Sequence, residues 1–190
     1  MTFTKTCLLL GRIKQTLKLK KVIQKKKWRV ICKNKIIKAN DLRNVDLVIT
    51  FNYRFMLKKK ILKKLIRPAI NLHISYLPFN RGCHPNFWSF IEKSPKGVTI
   101  HEIDEGLDTG PIIYQKKISF RMNQKKNNNF FKTNQILLFE IQKLFFNKIN
   151  QILNKDYIAK KQKKGGTFHY RNDLPPIMKN SWGLKIKDIL

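Results

Sequence analysis

From residue 45 to residue 51 the chain reads Val-Asp-Leu-Val-Ile-Thr-Phe, with a single charge and a high content of β-branched side chains. A strand with one face in water alternates apolar and polar residues, whereas a nearly continuous apolar run suits a strand covered on both faces. Strands of that kind belong to parallel sheets sandwiched between helices, so this one segment restricts the fold more than any other. Its neighbours repeat the rhythm. Residues 7–10 form a short apolar run closed by Gly11, and Ile13, Leu17, Leu19, Val22 and Ile23 then fall near helical spacing. Trp28, Val30 and Ile31 mark another strand. Residues 56–66 read as a helix, with Met56, Ile61, Leu62 and Leu65 on one face beneath a Lys-rich surface, ended by Pro68. Residues 69–73 form a further buried strand. The expected class is α/β: a Rossmann-like, mostly parallel sheet flanked by helices, with sites at the carboxyl ends of its strands.

Beyond this repeat, residues 97–101 and 111–115 look like a pair of strands around a turn at 104–110. Residues 122–135 are Asn/Lys-rich and predict a mobile connection. Residues 136–153 carry Leu137, Leu138, Ile141, Leu144, Phe145, Ile149 and Ile152 and predict a long C-terminal amphipathic helix. An irregular tail with Gly165-Gly166 and Pro175-Pro176 follows. Residues 1–120 are expected to be the core of one domain, with 121–190 its connection, helix and tail. The apolar surface of the long helix leaves a homodimer open.

Charge narrows the function without fixing it. Against 41 Lys+Arg the chain has 11 Asp+Glu, a formal net charge of +30. Such a field attracts nucleic acid and phosphorylated substrates alike. The excess is mostly Lys, accompanied by many Asn and Ile, while Ala occurs only at Ala39, Ala69 and Ala159. That bias fits A/T-rich coding, and the Lys runs are dispersed and mostly lack interleaved aromatics, so nucleic-acid binding is not favoured. Cys7, Cys32 and Cys83 have neither disulfide nor zinc-site spacing, and no metal site is expected. No apolar run is long enough for a membrane span or a signal-peptide core, which points to the cytoplasm.

In a chain whose charged surface is written in Lys, the acidic cluster Glu102, Asp104, Glu105 and Asp108, between the second strand pair, stands out. It is either a turn that neutralises nearby lysines or a loop where negative charge has work to do. Asn71 and His73, two apart on a strand, project to one face. An amide and an imidazole there can donate to a developing oxyanion while a carboxylate orients the imidazole or takes a proton, a set suited to acyl transfer onto an amine. A strand histidine is more often structural, and sequence distance does not bring Asp108 to the pair.

The motifs Asn71-Leu72-His73-Ile74-Ser75-Tyr76-Leu77-Pro78, Arg81-Gly82 and Gly97-Val98-Thr99-Ile100-His101, with Leu107-Asp108-Thr109-Gly110 after them, match the formyltransferase catalytic domain in order and spacing. The chain thus resembles a folate-dependent formyltransferase. Asn80-Arg81-Gly82, Pro85-Asn86-Phe87-Trp88-Ser89-Phe90 and the Gly165-Gly166 segment resemble the sugar-nucleotide branch most. The resemblance spans about residues 46–115; at the start the strand and helix look short, and the segment to Lys38 matches poorly. It implies transfer of a formyl group from 10-formyltetrahydrofolate to the amine of a nucleotide-linked amino sugar in polysaccharide biosynthesis. Catalytic residues would be Asn71, His73 and Asp108. Asn52, Tyr53, Asp104 and Gly106 would meet the folate, and Ser75, Arg81, His84, Trp88, His169 and Tyr170 the acceptor. Two alternatives stay open: a methionyl-tRNA or other amine acceptor, and a basic nucleic-acid-binding protein on an inactive formyltransferase scaffold. His101 is expected to be structural and Trp88 more a packing anchor than a stacking platform.

Overall fold

The computed structural model describes residues 5–121, 129–178 and 182–189. Strand β1 (Lys5–Gly11) leads into helix α1 (Ile13–Lys25), and β2 (Trp28–Lys33) returns parallel to β1. The β-branched run becomes β3 (Leu47–Phe51), followed by the short α2 (Lys59–Leu62) and β4 (Ile70–His73). After them come β5 (Arg81–Gly82), α3 (Pro85–Ile91), β6 (Gly97–Glu102), β7 (Ile112–Lys117), α4 (Phe130–Asn147), α5 (Ile149–Asn154) and β8 (Phe168–His169). Six strands form one sheet in the order β2-β1-β3-β4-β6-β7, and β5 pairs with β8 separately. The sheet is parallel from β2 to β4, while β6 runs antiparallel to both β4 and β7. The sheet is therefore mixed, because the β6–β7 pair docks on β4 as one unit.

Every residue of β3 is buried, as its apolar run requires. Alternation sorts the strands' side chains between two cores. Cys7, Leu9 and Ile49 pack on one face beneath Leu137, Ile141 and Phe145 of α4. Leu8, Leu10 and Val48 pack on the other with Leu57, Ile61 and Ala69. Burying one such side chain is worth about 1.5–3 kcal/mol, so covering both faces outweighs the weak local propensities of a Lys-rich chain. At the end of β1, Gly11 has φ +154°, and a Cβ there would lie 2.0 Å from the Phe51 carbonyl oxygen. Only glycine lets β1 and β3 close up at that point as the chain turns into α1.

The helices depart from the sequence pattern in three places. The helix expected over 56–66 shrinks to Lys59–Leu62: Leu57 and Ile61 are buried, but Met56 is 60% and Ile66 77% exposed. Lysines spaced three and four apart repel along that segment, and little apolar contact offsets them. The long helix begins six residues earlier than periodicity suggests. Asn129 Oδ1 accepts from the Lys132 N–H at 2.8 Å, an N-cap hidden within the Asn/Lys-rich tract, and Phe130 behind it is fully buried. Residues 122–128 of the expected connection lie outside the described residues. Lys148 breaks the helix into α4 and α5. At the amino end β1 has 7 residues and α1 has 13.

Candidate active site

A polar row crosses the apolar sheet. Thr50 on β3 is in register with Asn71 on β4, and Asn71 with His101 on β6. Residues opposite one another on neighbouring strands share a face, and His73 joins them two residues beyond Asn71. Thr50 Oγ1 donates to Asn71 Oδ1 at 2.7 Å, which fixes the amide so that Nδ2 faces Asp108 Oδ1 at 3.0 Å. His101 Nδ1 lies 2.7 Å from the Glu102 carbonyl oxygen and so carries the proton there. Its Nε2 sits 3.2 Å from Asn71 Nδ2.

The loop after β6 delivers the carboxylate. A Cβ at Gly110 would meet the Glu102 carbonyl oxygen at 1.9 Å, so glycine lets the loop press onto the end of β6. Asp108 adopts φ +51°, unusual for a residue with a side chain. Its Oδ2 accepts from the Gly82 N–H at 2.8 Å and lies 3.7 Å from His73 Nδ1; its Oδ1 lies 3.4 Å from His101 Nε2. Asn71, His73 and Asp108, separated in sequence, therefore meet at one point. His101, read from sequence as structural, stands among them.

Burial sets the proton distribution. It pushes the His73 imidazole below its ordinary value, partly opposed by the Asp108 charge, so His73 rests neutral at pH 7. Burial pushes the Asp108 carboxyl up, yet His73, His101 and the Gly82 N–H together outweigh it and hold Asp108 well below the usual carboxylate range. A permanent anion thus lies beside a neutral imidazole.

The cluster opens into a cavity of about 1270 Å³. A pocket for one small ligand typically holds about 300–1,000 Å³, so this one has room for two molecules side by side. Asn52, Tyr53, Asp104 and Gly106 line it. Asn52 Nδ2 donates to Gln15 Oε1 at 2.9 Å, Tyr53 Oη to the Lys35 carbonyl at 2.8 Å, and Asp104 Oδ1 accepts from Thr109 Oγ1 at 2.6 Å. His84, stacked on Trp182 with ring centroids 5.3 Å apart, His169 and Tyr170 line it too. Ser75, Arg81 and Trp88 do not line the cavity. Ser75 is buried with its hydroxyl donating to the Phe79 carbonyl; Arg81 is gripped by Gln162; Trp88 stacks on His169 at 4.0 Å. Ser75 is thus occupied inside the protein, while Arg81 and Trp88 are half-buried beside the cavity. Thr50 and His101, which the sequence did not place among the site residues, also line the cavity. Thr50 is camouflaged by the β-branched run around it, and the only sequence signal for His101 is its place on a strand bordering the acidic loop.

The formyl transferase family model matches residues 2–133. Among solved structures, the chain is similar to the formyltransferase PseJ from Anoxybacillus kamchatkensis, in complex with UDP-4,6-dideoxy-4-formamido-L-AltNAc and tetrahydrofolate. The two are 34% identical with a TM-score of 0.88, covering 97% of each chain. It is also 27% identical over 140 residues to the dTDP-4-amino-4,6-dideoxyglucose formyltransferase of Mycobacterium tuberculosis, covering 73% of this chain and 57% of that relative. A methionyl-tRNA formyltransferase of Thermodesulfovibrio yellowstonii is 47% identical over 77 residues, covering 40% of this chain and 25% of the relative. The chain thus spans less than two thirds of these two curated relatives. With the family model matched over most of its length and a solved relative aligned almost end to end, the chain belongs to the formyl transferase family.

Proposed function

We propose that this chain transfers a formyl group from 10-formyltetrahydrofolate to the primary amine of a nucleotide-linked amino sugar. The observation that carries it is the likeness, over 97% of both chains, to a formyltransferase solved with a UDP-linked formamido sugar and tetrahydrofolate. The size of the cavity, which suits two ligands meeting at the polar cluster, supports the same conclusion. Asn52, Tyr53, Asp104 and Gly106 form the wall for the folate, and His84, His169 and Tyr170 the wall for the sugar nucleotide. The cytoplasm, suggested by the irregular cysteine spacing, is the proposed location. A homodimer is less attractive than the helix pattern implied, since Leu137, Leu138, Ile141 and Phe145 are spent on the chain's own core.

Folate supplies the formyl carbon, and the residues of the chain do the rest. As the amine lone pair forms the new C–N bond, the carbonyl π pair moves onto oxygen, where Asn71 Nδ2 donates to the growing negative charge. Asp108 is held too far below neutral to be an effective base, so the amine proton passes to neutral His73. The Asp108 anion steadies the transient imidazolium. When the bond to the folate nitrogen breaks, that nitrogen keeps the electron pair and receives the proton from His73.

The test is incubation with 10-formyltetrahydrofolate and UDP-4-amino-4,6-dideoxy-L-AltNAc, the amine form of the relative's sugar, followed by mass spectrometry. A gain of one formyl group on the sugar supports the assignment. The net charge of +30 and the match to methionyl-tRNA formyltransferase favour methionyl-tRNA as the second acceptor to assay. Formylation of methionyl-tRNA but of no amino-sugar nucleotide would overturn the assignment, as would RNA binding with no transfer at all.

A further inference from the structure

We propose that Gln162 is a positioning residue for the Asp108 carboxylate, clamping the loop that bears it to the C-terminal tail. The proposal rests on the assignment of Asp108 to the catalytic centre. The tail is anchored just upstream, where Lys160 and Ile112 exchange backbone hydrogen bonds of 2.8 Å in both directions. Two residues later Gln162 turns inward and is half-buried, between exposed Lys161 and Lys163. Its Nε2 donates to the carbonyl oxygens of Asp108 and Gly110, each at 2.8 Å. Its Oε1 accepts from Arg81 Nε at 3.2 Å and Arg81 Nη2 at 2.9 Å. The side chain thus makes four hydrogen bonds, using both N–H groups and both lone pairs of the amide.

Those partners belong to the two backbone segments that fix the carboxylate. One carries Asp108 itself, held in the left-handed region at φ +51°. The other is β5, whose Gly82 N–H donates to Asp108 Oδ2. Through one amide, Gln162 ties the residue before that N–H to the carbonyl of Asp108. Loosening it lets the carboxylate drift from His73, whose Nδ1 is already 3.7 Å away. A displacement near 1 Å at such a point costs about 100-fold in rate.

Three variants, Gln162→Ala, Gln162→Glu and Asp108→Ala, test this with 10-formyltetrahydrofolate and UDP-4-amino-4,6-dideoxy-L-AltNAc. Gln162→Glu keeps the oxygen that Arg81 grips but aims a second, anionic oxygen at two carbonyls. It therefore separates the clamp on Asp108 from the contact with Arg81. We expect both Gln162 variants to lose about 10- to 100-fold in kcat, with KM for each substrate within about twofold of wild type. The acid limb of the kcat profile should move to lower pH, because His73 then feels less of the Asp108 charge. Thermal unfolding recorded alongside sets an assay temperature at which each variant is folded; if Gln162→Ala folds at none, Gln162→Glu decides. Wild-type kcat in Gln162→Glu, or a loss confined to KM with an unmoved acid limb, would overturn the clamp. Wild-type kcat in Asp108→Ala would instead overturn the catalytic assignment beneath it.

Discussion

Replacing Asp108 by Asn changes little in shape and much in charge. The Asp108 and His73 side chains are 15% and 9% exposed, so solvent screens their interaction only slightly. Unit charges about 4 Å apart at an effective dielectric constant of about 20 attract by about 4 kcal/mol, which bounds what the anion contributes to a transient imidazolium. At about 1.36 kcal/mol per tenfold, kcat of Asp108→Asn should fall by about 10²- to 10³-fold. The amide must also aim an N–H at either Gly82 N–H or Asn71 Nδ2, both donors, so one hydrogen bond is lost as well. The pH profile carries a second sign. Asp108 raises the His73 pKa against the lowering effect of burial, so its neutralisation should move the acid limb of kcat to lower pH. Steady-state assays between pH 5 and 8 read both quantities, with 10-formyltetrahydrofolate as donor. A kcat within about threefold of wild type, or an acid limb displaced upward, would refute the assignment of Asp108 as the counter-ion of His73.

Other outcomes follow from the same geometry. Thr50→Val removes the donor that orients Asn71 Oδ1 and should cost about 1–3 kcal/mol of stability and lower kcat, read by denaturant unfolding and steady-state assay. Asn71→Ala should lower kcat by about 10²- to 10³-fold, as the loss of an oxyanion donor does, with the unfolding transition retained. Acidification should destabilise the fold in two windows, followed by denaturant unfolding from pH 7 to 3. Because folding depresses the His73 pKa, the unfolded chain binds that proton first and stability declines below about pH 6.5. Because folding depresses the Asp108 pKa, its contribution is complete above about pH 4 and is lost as pH falls towards its folded value. Phe145→Ala, at a fully buried site under the sheet, should cost about 3–5 kcal/mol of stability, read as a lower denaturation midpoint.

The core strands were legible because burial on both faces leaves a direct mark: an apolar run without alternation at β3, and shorter ones at β1 and β4. Asn71 and His73 were legible as a pair through the two-residue period of a strand, and Asp108 through its place in an acidic cluster within a Lys-rich chain. What periodicity cannot carry is which strands become neighbours. The register of β4 with β6 brings His101 beside Asn71, and nothing local to residue 101 encodes it. Gln162 is hidden further still, since its role arises from a tail crossing back over a loop 54 residues away. The α2 segment misled because Lys-rich helical spacing looks amphipathic even where Met56 and Ile66 find no core.

The proposed transfer depends on one meeting of atoms. A crystal structure with tetrahydrofolate and the formylated UDP-amino sugar reads it directly. The formamide carbon should lie between the two ligands, its oxygen within about 3 Å of Asn71 Nδ2 and its nitrogen near His73. A formamide bound at the far end of the cavity, with water against Asn71, His73 and Asp108, would contradict the account.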